Sequence, residues 1–215
     1  MKRNLLIVLL TLICQCVFSQ LFAQQLDTIA LTKPDKSGGK PLMAALNERH
    51  SSRQFSSQEL SAAQLSNLLW AANGVNRPES GKRTAPTARN FQDMDVFVFT
   101  AQGVYRYDAA KHILVSIIQG DHREATGMQD FVQNAALNLV MVSDLAKMKD
   151  TNEEASLLYA GVHAGCIIQN IYLFCASEGL NTVTRASFDG QALAKLLKLS
   201  GKQKVIMTQT VGFQP

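Results

Sequence analysis

Two short polar clusters hold most of the chemistry this chain could do. The first is Arg49-His50-Ser51-Ser52-Arg53 and the second is Pro86-Thr87-Ala88-Arg89-Asn90. Two guanidinium groups with a hydroxyl between them can grip a phosphate through paired N–H donors and hold a second electron-rich group nearby. A proline-led turn that offers a hydroxyl and a carboxamide can hydrogen-bond the edge of a heteroaromatic ring. Each cluster also has a plainer reading. An arginine-rich pentapeptide is more often a solvated helix end, and a Pro-Thr pair is usually only a turn. Together they point to a phosphorylated ring compound as the ligand.

The surrounding pattern must position these groups. Leu42, Met43 and Leu46 mark one face of a helix running into Arg49, which puts the first cluster at that helix's C-terminal end. Ser61 with Gln64 forms a capping box ahead of the stripe Leu65, Leu68, Leu69 and Ala72, and Gly74 is placed to stop that helix. The loop 75–85 then delivers the chain to Pro86. Residues 94–100 and 103–107 read as a hairpin about Ala101-Gln102. The stretch 112–119 fits a strand or a helix start, 129–134 a helix, and 137–143 a buried strand. The longest helical pattern spans 153–178. Its small residues Ala160, Gly161, Ala164 and Gly165 would let another helix approach, either in a second subunit or within this one. Strands at 183–184 and 204–211 flank a helix at 190–199. Helices and strands mix without strict alternation, so the class is α+β.

The first residues belong to a different task. Lys2 and Arg3 precede an apolar run over 5–17, with permissive cleavage positions at Ser19 and Ala23. The run is short for a bilayer and reads as a secretory signal peptide over 1–23, the alternative being an uncleaved anchor. The expected destination is export, to a bacterial periplasm, with no membrane span after cleavage. Residues 24–39 read as a flexible arm, and 40–215 as the folded domain. The 215-residue chain carries a net charge of +4; losing Lys2 and Arg3 leaves 19 basic against 17 acidic residues. A balance that small argues against nucleic acid as the partner. Of four cysteines, Cys166 and Cys175 remain after cleavage. Nine residues apart on one helix they lie about 13 Å apart and on opposite faces, too far to bond. Dinucleotide, P-loop, zinc and nucleophile-elbow motifs are missing, and His112, His122 and His163 receive no catalytic role.

A phosphate-gripping chain without those motifs resembles the nitroreductase family of FMN-dependent oxidoreductases, and within it the SagB-type dehydrogenase branch. Arg49-His-Ser51-Ser-Arg53-Gln-Phe55 is similar to the family's R-x-S-x-R-x-F. Leu68-Leu69-Trp70-Ala71-Ala72-Asn73-Gly74 and Arg83-Thr84-Ala85-Pro86 resemble the branch's L-L-W-A-A-x-G and R-T-A-P-S, with Thr87 in place of serine. Asn90 stands where the family has its asparagine. Gly165 with Gln169-Asn170, and Glu178-Gly179-Leu180, match the family's later helix. The likeness covers roughly residues 40–212.

The resemblance implies a nitroreductase-like fold, with a mostly antiparallel central sheet flanked by helices and an intertwined homodimer. It implies FMN as cofactor and no catalytic side chain, because the flavin carries the chemistry. Arg49 and Ser51, with His50 between them, would hold the phosphate, and Arg53 would reach the pyrimidine end of the ring. Pro86, Thr87 and Asn90 would meet the ring edge and ribityl chain from the partner subunit. Ala186 and Ser187 would lie at flavin N5. The chain ends without the family's basic tail, so a weaker hold on FMN is expected. The family's usual donor, NAD(P)H, is scarce outside the cytoplasm, so an exported member would need another. Three functions stay open: a small-molecule oxidoreductase, a SagB-like dehydrogenase of an azoline-type substrate, and a flavin-binding protein without turnover.

Overall fold

Alternation along two central strands decides the layers. In β4 (Met94–Phe99) and β7 (Leu137–Asp144) successive side chains point to opposite faces of the sheet. Val96, Val98, Leu139 and Met141 enter one apolar cluster, while Phe97, Phe99, Val140 and Val142 enter another. Strands apolar on both faces need cover on both.

The computed structural model describes residues 28–215. The expected signal peptide and the start of the arm lie outside them. The remaining strands are β1 (Thr28–Ala30), β2 (Val75–Arg77), β3 (Lys82–Arg83), β5 (Gly103–Asp108), β6 (Ile113–Gln119), β8 (Asn181–Arg185) and β9 (Gln203–Gly212). Seven of the nine described strands form one sheet in the order β1-β6-β5-β4-β7-β9-β8, antiparallel at every pairing, while β2 and β3 make a separate ribbon. The helices are α1 (Leu42–Glu48), α2 (Ala62–Asn73), α3 (Glu153–Glu178) and α4 (Gly190–Leu196). Leu68 and Leu69 of α2 and Ile167 and Ile171 of α3 close one face of the sheet. Leu193 and Leu197, in and just after α4, close the other.

Helix ends follow local chemistry. Ser61 Oγ accepts the Gln64 N–H and the Gln64 side chain accepts the Ser61 N–H, the reciprocal pair expected of a capping box. Gly74 does end α2, but in an extended rather than a left-handed conformation. A Cβ there would come within 2.4 Å of the Trp70 side chain, so close packing is what demands glycine. At the end of α3, Gly179 takes the left-handed φ of 71° that favours glycine.

Two segments differ from expectation and a third resolves one of two open alternatives. The arm, from residue 28 onward, lies on the domain. Thr28 pairs with Val115, the Asp35 N–H donates to Asn67 Oδ1 at 2.9 Å, and the Lys40 N–H donates to Ser177 Oγ at 2.7 Å. Non-local partners hold it, and no local pattern announces them. Residues 113–119 resolve as strand β6, and the loop 75–85 contains the β2–β3 ribbon. Cys166 and Cys175 are both free on α3; burial holds the Cys175 thiol far above the ordinary range, so it is inert.

Replacing Ser61 by alanine removes the α2 cap. The expected loss is about 1 kcal/mol, seen as a fall of roughly 2–4 °C in the melting temperature by circular dichroism. No measurable change would mean that the capping box contributes nothing to α2.

Candidate functional site

The first cluster runs along the free edge of β8. The Ser52 N–H donates to Thr182 O at 3.0 Å, and Asn181 Nδ2 donates to Gln54 O at 2.8 Å. Chain number rises on one side as it falls on the other, so the segment lies antiparallel to the strand. Arg49 caps the end of α1, its N–H donating to Ala45 O at 3.0 Å.

One side chain of α3 fastens this cluster. The Arg49 guanidinium carbon lies 5.3 Å from the centre of the Tyr172 ring, within cation–π range. The hydroxyl of the same ring lies 2.8 Å from Ser51 Oγ and accepts the Thr184 N–H at 3.0 Å. Tyr172 is buried and Ser51 exposed. Among the described residues, neither Arg49 nor Arg53 has a carboxylate partner. A guanidinium and a hydroxyl on one ring, without a counter-anion, are a donor set fitted to a phosphate, and Arg53 stands exposed two residues beyond Ser51.

His50 stands apart from that set. Its ring Nδ1 donates to Glu48 O at 2.8 Å. With Ser52 and Gln54 it lines a polar hollow of about 360 Å3 shared with Asn181 and Gln214. Alternate residues of the segment thus serve different sides, and the structure does not bring His50 to the ring of Tyr172.

The second cluster is held by a buried polar chain. Ser143 Oγ donates to Asp93 Oδ2 at 2.7 Å, His163 Nδ1 donates to Asp93 Oδ1 at 2.7 Å, and the Ala88 N–H donates to His163 Nε2 at 2.8 Å. The last bond fixes the tautomer: Nε2 accepts, so the imidazole proton sits on Nδ1. Arg89 and Asn90 have φ of 48° and 55°, and Gln92 has 47°. Such left-handed residues need surroundings that hold them. Here Thr87 Oγ1 accepts the Gln92 N–H at 3.1 Å, and Gln92 Nε2 donates to Asn90 Oδ1 at 3.2 Å. Pro86 and Asn90 are exposed and Thr87 half-buried.

The residues just before this turn tie it to α2. Arg83 Nη1 donates to Asn73 O at 3.2 Å, and the Thr84 N–H donates to Gly74 O at 2.9 Å. The two sequence motifs around Trp70 and Pro86 are therefore one physical unit, a helix end and the strand that caps it. At the far end of β8, Ala186 and Ser187 are exposed, and Ser187 O accepts the Met128 N–H at 3.2 Å. Behind them Arg185 is buried against neutral acceptors, donating to Thr126 O at 2.7 Å and Asn138 Oδ1 at 3.0 Å. Burial draws its pKa down to about 10.

One chain does not unite all these groups. It brings Arg49 and Ser51 together beside β8, the strand that leads into Ala186 and Ser187. The Pro86–Asn90 turn hangs from His163, nine residues before Tyr172 on α3. That spacing is about 13 Å along the axis and half a turn around it. Between and beside them α3 exposes Leu157, Leu158, Gly161, Val162 and Gly165. Tyr172, His163, Asp93 and Ser143 were not singled out from the sequence as site residues. A histidine at a core phase of α3, between Ala160 and Ile167, was the signal available, since a buried imidazole needs partners.

Residues 46–213 match the model of the nitroreductase family. A candidate nitroreductase of Methanocaldococcus jannaschii is 28% identical over 196 residues, covering 86% of this chain and 97% of its own. The crystal structure of a candidate nitroreductase from Ralstonia eutropha superposes with a TM-score of 0.84 at 39% identity, covering 90% of this chain and 92% of that one. The Escherichia coli microcin synthetase McbBCD complex, with truncated pro-MccB17 bound, shares the fold at 17% identity and a TM-score of 0.67, covering 92% of this chain and 80% of that one. The antiparallel sheet flanked by helices is the fold that the sequence resemblance implied.

Replacing His163 by alanine strands Asp93 Oδ1 and the Ala88 N–H together. The expected loss of stability is roughly 3 kcal/mol, measured by urea unfolding. A change near zero would show that the polar chain does not hold the turn.

Proposed function

The chain belongs to the nitroreductase family, and from that premise we propose that it is an FMN-dependent oxidoreductase working as a homodimer on a small molecule. The observation that carries this reading is the pairing of Arg49 and Ser51 on the single ring of Tyr172, with no carboxylate to neutralise either arginine of the segment. Arg49 and Ser51 would hold the phosphate of FMN. Arg53, exposed and four residues further along the extended segment, would offer a fixed cation to the pyrimidine end of the ring, where it favours added negative charge. Bound flavin supplies the hydride and electron transfer. The protein's own residues hold it, tune it and leave a face open to donor and acceptor in turn.

The homodimer rests on α3. Its composition would suit a membrane span, yet one face packs in the sheet's core. Leu158 and Val162 on the other are 68% and 55% exposed, beside two glycines, Gly161 and Gly165, where an added Cβ would meet nothing within 4 Å. A helix apolar on two sides needs two covers, and a second copy supplies the missing one. That copy would also present its Pro86, Thr87 and Asn90 to this chain's phosphate cluster.

Membership of the SagB-type branch, with an azoline-type substrate, is the second reading. It is favoured by the physical coupling of the Trp70 and Pro86 motifs through Arg83 and Thr84. Export, with removal of residues 1–23 and an electron donor other than NAD(P)H, completes the proposal. It rests on Lys2-Arg3 and the apolar run that follows.

The purified protein should bind FMN at micromolar concentration, bleach with dithionite and recover its visible spectrum when an acceptor is added. Absence of binding contradicts the proposal, and binding without reoxidation by any acceptor favours a flavin-binding protein without turnover. Arg49→Ala should weaken FMN binding about tenfold or more, the value of one charged hydrogen bond. Arg53→Ala should instead lower the flavin potential by roughly 30 mV, the two-electron equivalent of about 1.4 kcal/mol. Val162→Glu should give monomers by light scattering, and a dimer that survives it contradicts the α3 interface.

A further inference from the structure

We infer that Tyr172 is a positioning residue that commits the Ser51 hydroxyl hydrogen to an incoming phosphate, so that the site selects phosphorylated over unphosphorylated flavin. The inference rests on the FMN reading above and goes beyond it, because it names a side chain on α3 as the source of that selectivity.

The Tyr172 hydroxyl has one hydrogen to give, and its oxygen already accepts the Thr184 N–H at 3.0 Å. Among the described residues the only other polar atom bonded to it is Ser51 Oγ, at 2.8 Å. Tyr172 is 6% exposed, so a hydroxyl hydrogen pointed elsewhere would be buried without an acceptor, a costly arrangement. The phenol therefore donates to Ser51. Ser51 then accepts through Oγ, and among the described residues nothing else claims its own hydrogen. Since Ser51 is exposed, that hydrogen turns outward from the ring that also seats the Arg49 guanidinium. An outward O–H next to a cation favours an anionic acceptor and gives nothing to a ligand that lacks one.

The same ring does two separable jobs. Its face seats Arg49 at 5.3 Å, and its hydroxyl orients Ser51. Phenylalanine keeps the face and removes the hydroxyl. Without the phenol's hydrogen, Ser51 is free to rotate and to donate into its own loop.

The test compares dissociation constants for FMN and riboflavin in the flavin-stripped protein, wild type and variants. Tyr172→Phe is expected to weaken FMN five- to tenfold while riboflavin affinity stays within twofold. Ser51→Ala should do the same, and the double variant should be no weaker than Ser51→Ala alone, because the two groups act as one. Tyr172→Leu, which also removes the seat of Arg49, should weaken FMN further. Equal losses for FMN and riboflavin in Tyr172→Phe, or additive losses in the double variant, overturn the inference and leave Tyr172 a packing residue. Wild type that prefers FMN while Tyr172→Phe keeps the full preference overturns the inference alone. Wild type that binds FMN no better than riboflavin overturns the phosphate assignment of Arg49 and Ser51 as well. Should Tyr172→Phe fail to fold, Ser51→Ala decides: an unchanged FMN affinity overturns the outward donor.

Discussion

A straight helix cannot turn two opposite sides toward one point. Its hydrogen-bond ladder fixes the angle between any two of its side chains, and nine residues make two and a half turns. His163 and Tyr172 are separated by that interval on α3, and each holds one of the two polar clusters in place. His163 fixes the Pro86–Asn90 turn through Ala88, and Tyr172 fixes Arg49 and Ser51. The rest of the molecule accommodates this spacing. The sheet buries one side of α3, α1 and the β8 edge cover its C-terminal half, and the apolar strip from Leu157 to Gly165 is left bare.

Polar burial around α3 serves rigidity. A chain from Ser143 through Asp93 and His163 to the Ala88 N–H satisfies every one of its members in the core, which is the condition under which such networks specify a geometry rather than weaken it. It ends on a turn with three left-handed non-glycine residues, where strain is tolerated only because the neighbours leave no alternative. On the other half of the helix the Tyr172 hydroxyl plays the corresponding part for a cluster that faces solvent. Both anchors lie within α3, so whatever fixes that helix against a second body fixes the two clusters relative to each other.

Legibility in the sequence followed locality. The Ser61–Gln64 box, the hairpin about Ala101-Gln102 and the full span of α3 were readable because their causes lie within a few residues. Strand β1 was not: the polar segment gains order only by meeting Leu114 and Val115, more than eighty residues away. Arg49, Ser51 and Arg53 suggest an anion grip by residue type alone, and the fold sets Arg49 and Ser51 on the one ring of Tyr172. His50 was grouped with them by adjacency, although alternation along an extended segment sends it to the other side, toward Gln54 and Asn181. The anchoring parts of Tyr172 and His163 are not legible in the sequence, because each is a polar group inside an apolar helical stripe and only the fold names its partners.

Sharing of the site between two chains is tested most directly by mixing. Two variants, Arg49→Ala in one chain and Asn90→Ala in the other, are unfolded and refolded together, and the number of tight FMN sites is counted. If each site takes its phosphate grip from one chain and its ring-edge turn from the partner, every mixed dimer regains one intact site. Random pairing under two-fold symmetry then restores about a quarter of the wild-type sites. A mixture with no more tight sites than the separate variants would place both clusters in the same chain's site and contradict the account.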